Sequence, residues 1–336
     1  MKPLVSLCMA TYFRPLLFPE SLASMLAQTY EPLEIIVLVD GACPESIRVL
    51  EGCQDPRLQW FVTERALGMV PAWNAVCTRA RGKYLLYCAD DDVLLPRAVE
   101  EQVGLLEDNP SVLFCHADWE YVDDDGNHLS NAISPRGRYI ERGSSAWARF
   151  LAVTGACMQT TVIRREAFTE VGGWDEEAGL PGDNGLYLRL LVRGDVGHVP
   201  VITCKYRVRM RNPDNWERNF RTLRDNYALG VRHLTAPPHG AIGELTKTRR
   251  RFFNRLAMDG VTLRDTAPSA GERHSLLQWL EQHVWPQTMF GRLCEGASRA
   301  GASRLLGMLV SAHARGRQRA KNALVSFRRV AEPLLG

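Results

Sequence analysis

Several features common in secreted, membrane-spanning and zinc-binding proteins are missing from this chain of 336 residues. It has no run of about eighteen consecutive apolar residues, which argues against a membrane-spanning helix. Its nine cysteines form no Cys-x-x-Cys pair, so a structural zinc site is not indicated. Their number is odd, and Cys8, Cys88 and Cys115 lie in apolar, strand-like runs. This pattern is typical of buried thiols in a reducing compartment.

The first residues also lack the apolar segment of a signal peptide, because Met1–Ser6 leads directly into a strand-like run. We therefore expect a cytoplasmic protein, either free or at the inner face of the membrane. The net charge of +3 hides an unequal distribution. Residues 1–202 carry 17 basic and 28 acidic side chains, whereas residues 203–336 carry 24 and 10. The basic part should be attracted to an anionic partner, or to the acidic part of a second copy.

Strand-like and helix-like segments alternate through the first half of the chain, which is typical of an α/β fold built on a parallel sheet. Beyond about residue 213 helical periodicity replaces this alternation. We therefore predict an α/β domain over residues 1–212 and a basic helical region over residues 213–336. The predicted strands cover residues 4–10, 34–39, 57–63 and 83–88, and the predicted helices cover residues 19–28 and 71–80.

Three consecutive carboxylates, Asp90, Asp91 and Asp92, follow the apolar run Lys83–Cys88. Adjacent like charges at the end of a buried strand repel each other and are costly to desolvate. A divalent cation bound to a phosphorylated ligand would remove this difficulty, since Mg²⁺ and Mn²⁺ prefer carboxylate and phosphate oxygens. The alternative is a solvated acidic loop. Asp40 closes another predicted strand, and ligands of α/β sheets bind at such carboxyl ends.

The order of several short motifs resembles the family 2 glycosyltransferases over roughly residues 3–210. The resemblance implies a GT-A fold, which is a Rossmann-like, mixed but mostly parallel sheet flanked by helices. It also implies a nucleotide-sugar donor. The motifs are Val5–Pro15, Ser24–Tyr30, Glu34–Gly41, Leu67–Tyr84, Asp90–Pro96 and Val171–Leu190.

The resemblance also assigns roles at the nucleotide end of the site. Asp40 would accept a hydrogen bond from uracil or thymine, although Val39 stands where many members carry a second carboxylate. Asp91 would bind the metal, Mn²⁺ or Mg²⁺, and Asp90 would lie next to the ribose. The remaining nucleotide contacts would come from Thr11, Tyr12, Arg14 and Arg65, although Thr11 and Tyr12 could be turn residues and Arg65 a surface charge.

The segment Gly182-Asp183-Asn184 matches the start of the family helix whose aspartate acts as the general base of inverting members. The resemblance therefore implies that Asp183 is catalytic. A helix N-terminus also favours aspartate as a cap, and the two roles are compatible. Arg209 stands where many members have a histidine near the diphosphate. Arg207 or Arg209 would then clamp phosphate oxygens, or both would be solvated strand charges.

The C-terminal segment, residues 305–329, has the pattern of a basic amphipathic helix or pair of helices. Such helices bind anionic membrane surfaces, which would suit a lipid-linked acceptor. The alternative is a helical appendage packed on the protein itself or on a second subunit. Charge alone would also suit nucleic acid, but no binding motif accompanies it, so we expect no nucleic-acid partner.

The sequence thus predicts a metal-dependent inverting glycosyltransferase that moves a sugar from a UDP or dTDP donor to an acceptor hydroxyl. A saccharide or lipid-linked acceptor in polysaccharide or glycoconjugate biosynthesis is expected. Two alternatives stay open. A nucleotidyltransferase would need a glycine-rich phosphate loop after the first strand, and Ala10–Pro15 lacks one. A non-catalytic nucleotide-binding scaffold would not need Asp40, Asp90, Asp91 and Asp183 together.

Overall fold

The computed structural model describes residues 2–152, 155–208 and 215–287, together with Arg292 and Glu295. The described chain divides into two compact units. The first contains residues 2–150, 155–208 and 238–241, and the second contains residues 151–152, 215–237 and 242–287. The first unit carries the sheet, and the second is helical. That these units are the two predicted functional domains stays a prediction.

The first unit is built on one ten-stranded sheet. Eight strands follow the order β3-β2-β1-β4-β9-β6-β10-β5, while β7 pairs with β6 and β8 pairs with β10. The strands are β1 (Val5–Thr11), β2 (Leu33–Asp40), β3 (Leu58–Thr63), β4 (Tyr84–Tyr87), β5 (Val93–Leu94), β6 (Val112–Val122), β7 (His128–Ala132), β8 (Tyr139–Glu141), β9 (Thr161–Arg164) and β10 (Asp195–Arg207).

Seven helices belong mainly to this first unit. Side chains from three of them, α1, α2 and α4, pack with one face of the sheet in a continuous apolar core. The helices are α1 (Phe18–Leu26), α2 (Pro44–Glu51), α3 (Met69–Cys77), α4 (Glu100–Asp108), α5 (Gly143–Ala152), α6 (Arg165–Glu170) and α7 (Gly182–Leu191).

The strands β1, β2 and β4 are buried almost throughout, which explains their continuous apolar sequences. One charged residue, Glu34, lies inside β2 at 4% exposure. It is stabilised there because it accepts hydrogen bonds from Ser6 Oγ (2.5 Å), the Arg81 amide (2.7 Å) and the Gly82 amide (3.1 Å). Burial of its charge is thereby compensated.

The mixed α/β sheet flanked by helices is confirmed. The strands β3, β2, β1 and β4 are mutually parallel, as the alternating pattern predicts. Antiparallel pairings are more frequent than expected beyond β4, since β9 runs antiparallel to both β4 and β6. The strand β9 has only four residues and follows directly on a short 3-10 turn. Four residues are too few to show a clear alternation in the sequence, so this strand was not predicted.

The second unit contains three long helices, α8 (Asn215–Thr235), α9 (Leu245–Asp265) and α10 (Ala270–His283). Two glycines permit close helix packing. A Cβ at Gly230 would lie 1.9 Å from Phe252 Cζ, and a Cβ at Gly260 would lie 2.5 Å from Leu280 Cδ2. A larger side chain at either position would require the Phe252 or the Leu280 side chain to move.

The basic cluster Arg249–Arg251 is exposed on α9. The predicted amphipathic segment over residues 305–329 lies outside the described residues. No helix in the described part of the chain is both long enough and apolar enough to cross a membrane. The eight cysteines within the described residues are free thiols.

Candidate active site

The carboxyl ends of β1, β2, β3 and β4 lie at one edge of the sheet, because these four strands are parallel. Most of the residues predicted to bind a nucleotide follow these ends. Thr11, Tyr12 and Arg14 follow or close β1, Asp40 closes β2, Arg65 follows β3, and Asp90 and Asp91 follow β4. The structure therefore brings these seven residues to one edge, as the family resemblance implies.

Asp40 is 3% exposed and fixes the loop that follows β3. Its carboxylate accepts hydrogen bonds from Thr63 Oγ1 (2.8 Å), the Leu67 amide (2.8 Å) and the Gly68 amide (3.3 Å). Arg65 is an exposed residue of this loop. A carboxylate offers about four lone pairs, so Asp40 can accept one further hydrogen bond. The predicted contact from a base stays a prediction.

Two aromatic rings stand at this edge beside Asp40. Tyr12 and Phe13 are 55% and 54% exposed, and their ring centroids are 5.0 Å apart in an edge-to-face arrangement. Gly41, at φ +85°, lies under both rings, since a Cβ there would be 3.3 Å from Tyr12 Cε2 and 3.4 Å from Phe13 Cε2. Exposed ring faces at a strand end can stack on a planar base. Phe13 was not among the residues predicted from the sequence, although its position between Tyr12 and Arg14 is a usable signal.

The side chains of the three adjacent aspartates lie in three different environments. The Asp90 carboxylate accepts a hydrogen bond from the Tyr12 amide (3.3 Å), and burial raises its pKa. Asp92 is 2% exposed and accepts hydrogen bonds from the Arg207 amide (2.7 Å) and Gln159 Nε2 (2.5 Å). Burial raises the pKa of Asp92 to about 7. The Asp91 side chain, 15% exposed, is contacted by the Arg14 guanidinium.

Arg207, at the end of β10, connects the aspartates to the rest of the first unit. Its guanidinium donates to the Asp91 carbonyl (2.9 Å), the Asp123 and Asp124 carbonyls (3.3 and 3.0 Å) and the Glu20 carboxylate (2.7 Å). The side chain is only 4% exposed. These acceptors occupy a guanidinium that could otherwise bind a phosphate. Arg207 therefore positions the acidic turn and is not a solvated strand charge.

Asp183 is the second residue of α7 and is half-buried. Its Oδ1 accepts a hydrogen bond from the Asn184 amide (2.7 Å). Burial raises the pKa of Asp183 to about 6, although the Asn184 amide counteracts this effect. Burial, followed by the nearby charges of Asp92 and Asp183, raises the pKa of the Cys157 thiol. The Cys157 thiol therefore lies within electrostatic range of both the Asp183 carboxylate and the Asp92 carboxylate of the acidic turn.

Two residues of this site, Cys157 and Gln159, were not found by sequence reasoning. The Cys157 thiol donates to Gln159 Oε1 (2.7 Å), and the Gln159 amide donates to Asp92. The segment reaches the site only because the chain returns between α5 and β9. A tertiary placement of this kind leaves no local motif in the sequence.

Trp174 lies in the core and does not present a ring face to the site. It is 2% exposed, and its ring packs against Trp73 and Tyr87 at centroid distances of 5.8 Å. Asn74 fixes its backbone, because the Asn74 side chain accepts from the Trp174 amide (2.8 Å) and donates to its carbonyl (3.1 Å). Trp174 is therefore a core residue, and its ring is not exposed for stacking on a sugar.

The Asp91 carboxylate suits a hard divalent cation whose other ligands come from the phosphates of a substrate. Within the described residues, no group of three or more His, Cys, Asp or Glu side chains is arranged to hold a metal. Asp91 supplies a carboxylate that already neutralises a cationic side chain, Arg14. Mg²⁺ is commonly held by one or two carboxylates plus substrate phosphates, and this site fits that arrangement. The predicted phosphate contact Arg209 lies outside the described residues.

Residues 6–172 match the family model described as Glycosyl transferase family 2. Through this segment the chain belongs to glycosyl transferase family 2. An uncharacterised glycosyltransferase of Methanocaldococcus jannaschii is 32% identical over 170 residues, which is 49% of this chain and 58% of that protein. The matched part of the chain spans between 30% and 58% of the first curated relatives.

Solved structures share the fold. The structure of S. aureus TarS residues 1–349 in complex with UDP-GlcNAc has a TM-score of 0.68 at 14% identity, covering 94% of this chain and 93% of that one. The mannosyltransferase PcManGT of Pyrobaculum calidifontis, in complex with GDP-Man and Mn²⁺, has a TM-score of 0.55 at 18% identity, covering 84% and 81%. This family 2 chain therefore has the GT-A fold that its motifs imply.

The positioning role of Arg207 can be tested with Arg207→Lys. Lysine keeps the charge but cannot reach four separated acceptors, so we expect a loss of about 2–4 kcal/mol in the free energy of unfolding. Urea denaturation would measure this loss, with the exposed residue Arg48, replaced by Lys, as the control. If Arg207 instead contacted a diphosphate, the variant would keep its stability and lose UDP affinity.

Proposed function

We propose that this family 2 protein transfers a sugar from a nucleotide-sugar donor to an acceptor hydroxyl and inverts the anomeric centre. One observation carries the proposal. Asp183, a half-buried carboxylate at the start of α7, and Asp92 of the acidic turn that follows β4 both lie within electrostatic range of the Cys157 thiol. A single displacement at a sugar carbon requires a general base close to the residues that hold the departing diphosphate, here through a metal bound by the acidic turn.

The strand ends would hold the nucleotide. Tyr12 and Phe13 offer exposed rings for the base, and Asp40 retains one lone pair for an N–H donor. Uracil and thymine carry such an N–H, so the Asp40 carboxylate is compatible with a UDP or dTDP donor. Asp90 would lie next to the ribose, and the exposed residue Arg65 would contact a phosphate. The complex of TarS with UDP-GlcNAc supports the uracil assignment.

Asp91 would hold Mn²⁺ or Mg²⁺ together with the donor diphosphate. The bound metal would offset the negative charge that develops on the departing nucleoside diphosphate. The complex of PcManGT with Mn²⁺ supports this choice of metal. Arg207 keeps the Asp91 backbone in place by donating to its carbonyl. Arg209 would add a further positive charge at the diphosphate.

Asp183 would take the proton of the acceptor hydroxyl. The hydroxyl oxygen forms a bond to the anomeric carbon while the bond from that carbon to the diphosphate oxygen breaks, and the electron pair leaves with the nucleoside diphosphate. Because attack and departure occur on opposite faces, the configuration inverts without a protein nucleophile. The raised pKa of Asp183 makes it a stronger base than an ordinary aspartate.

The acceptor would be a saccharide or a lipid-linked saccharide, in polysaccharide or glycoconjugate synthesis at the cytoplasmic face of a membrane. The exposed arginines of α9 and the basic segment 305–329 would provide the peripheral membrane contact. The second unit would then serve as an accessory region to a catalytic domain over residues 1–212. A non-catalytic scaffold would need no base, and Asp183 argues against it. A nucleotidyltransferase would need the missing glycine-rich loop.

Replacing Asp91 by Ala should abolish metal-dependent nucleotide binding. The wild-type protein should bind UDP or dTDP at least about tenfold more tightly with Mn²⁺ than without it, because the metal joins the diphosphate to the carboxylate. Isothermal titration calorimetry with UDP, dTDP and GDP checks this, with Asp125→Ala in an exposed turn as the control. Tight Mn²⁺-dependent binding that persists in Asp91→Ala would remove Asp91 from the metal site.

Replacing Asp183 by Asn should leave UDP affinity nearly unchanged and lower the transfer rate by about 10²–10⁴-fold. Because its pKa is raised to about 6, Asp183 is a carboxylate above that pH and is protonated below it. Transfer by the wild-type protein should therefore fall as the pH is lowered through about 6. The residual activity of Asp183→Asn should lack this acidic limb.

The exposed residue Glu166 at the start of α6, replaced by Gln, is the matched control for the loss of one carboxylate. Sugar release or transfer from a radiolabelled donor would be measured across pH 5–8 in all three proteins, a window of about one pH unit below and two above the raised pKa. Equal losses of donor binding and of transfer in Asp183→Asn would contradict the role as a base.

A further inference from the structure

Two arginines contact the acidic turn, and they are placed very differently. The Arg207 side chain is 4% exposed, and its N–H groups donate to backbone carbonyls of Asp91 and Asp124 and to the Glu20 carboxylate. The Arg14 side chain is 34% exposed, and its contacts are the carboxylates of Asp91 and, with Nε 3.6 Å from Oδ1, of Asp90. Arg14 can therefore leave the turn without breaking the fold, whereas Arg207 cannot.

The Arg14 backbone is fixed while its side chain faces the site. The Arg14 carbonyl accepts hydrogen bonds from the amides of Leu17 (3.2 Å) and Phe18 (3.0 Å) at the start of α1. Arg14 can therefore leave Asp91 by rotation of its side chain, without disturbing the start of α1. The guanidinium then stays within side-chain reach of the aspartates.

A divalent cation that binds Asp91 would compete with Arg14 for the same carboxylate. Two positive groups in contact with one carboxylate repel each other, so each weakens the binding of the other. A cation at Asp91 is therefore expected to loosen the hold of the carboxylate on Arg14. When the cation arrives with a nucleoside diphosphate, the displaced guanidinium meets phosphate oxygens, which it binds in its preferred planar, bidentate manner.

We propose that Arg14 is a counter-cation of the metal carboxylate, exchanged for the divalent metal when the nucleotide diphosphate binds, and that it then clamps the diphosphate. This inference rests on the proposed function. A metal ion that binds alone displaces Arg14 from Asp91 and leaves the guanidinium without an anionic partner, so it binds weakly. When the diphosphate binds with the metal, it becomes the new partner of Arg14, so the two ligands bind cooperatively. Arg14 thus selects the metal–nucleotide complex over the free ion.

The experiment is a pair of titrations on the full chain with Arg14→Gln. Glutamine removes the positive charge and retains a polar, though shorter, side chain. Mn²⁺ alone, followed by the EPR signal of the free ion, should bind about threefold or more tightly to the variant, because the competing cation is gone. UDP at saturating Mn²⁺, followed by calorimetry, should bind about tenfold more weakly, because the charge-assisted contact to phosphate is lost.

Arg48→Gln on α2 is the control, since it removes one exposed arginine of the first unit and the same unit of charge. It should change neither affinity. Unchanged or weaker Mn²⁺ binding in Arg14→Gln would overturn the exchange, and unchanged UDP binding would overturn the clamp. A wild-type protein that binds neither Mn²⁺ nor UDP would instead contradict the proposed function itself, and with it the basis of this inference.

Discussion

Mutual repulsion among the three carboxylates that follow β4 is the constraint on which the rest of the site depends. Two like charges about 4 Å apart repel by about 4 kcal/mol at an effective dielectric constant of 20, a large share of a domain's stability. The fold separates the three groups. Asp92 accepts hydrogen bonds from the Arg207 backbone amide and the Gln159 side-chain amide, and Asp90 accepts one from the Tyr12 amide. Asp91 is paired with the partly exposed Arg14, which also approaches Asp90.

This separation explains why distant segments meet at the turn. The end of β10 supplies Arg207, and the segment between α5 and β9 supplies Gln159. The loop after β1 supplies Tyr12 and Arg14, which contact Asp90 and Asp91. The same return segment carries Cys157, which lies near both Asp92 and Asp183. The segment that holds Asp92 in place therefore also lies within electrostatic range of the proposed base.

The parallel part of the sheet could be predicted from sequence because β1, β2 and β4 are buried on both faces and read as continuous apolar runs. The grouping of Asp40 with the acidic turn followed from that prediction. The different environments of the three aspartate side chains could not be predicted, since they depend on Arg207 and Gln159, which lie more than sixty residues away in the sequence. The core position of Trp174 could not be predicted from local sequence either, since it depends on Asn74 and Trp73, which come from a distant segment.

The most direct test of this account is a crystal structure of the protein soaked with UDP and Mn²⁺, with anomalous scattering recorded to locate the metal. The account predicts an anomalous peak bound by the Asp91 carboxylate and the diphosphate, with the uracil beside Tyr12 and Gly41 and the Asp183 carboxylate facing the diphosphate end. A nucleotide bound elsewhere, or a metal peak remote from Asp91, would contradict the claim that the ends of β1 to β4 form the donor site.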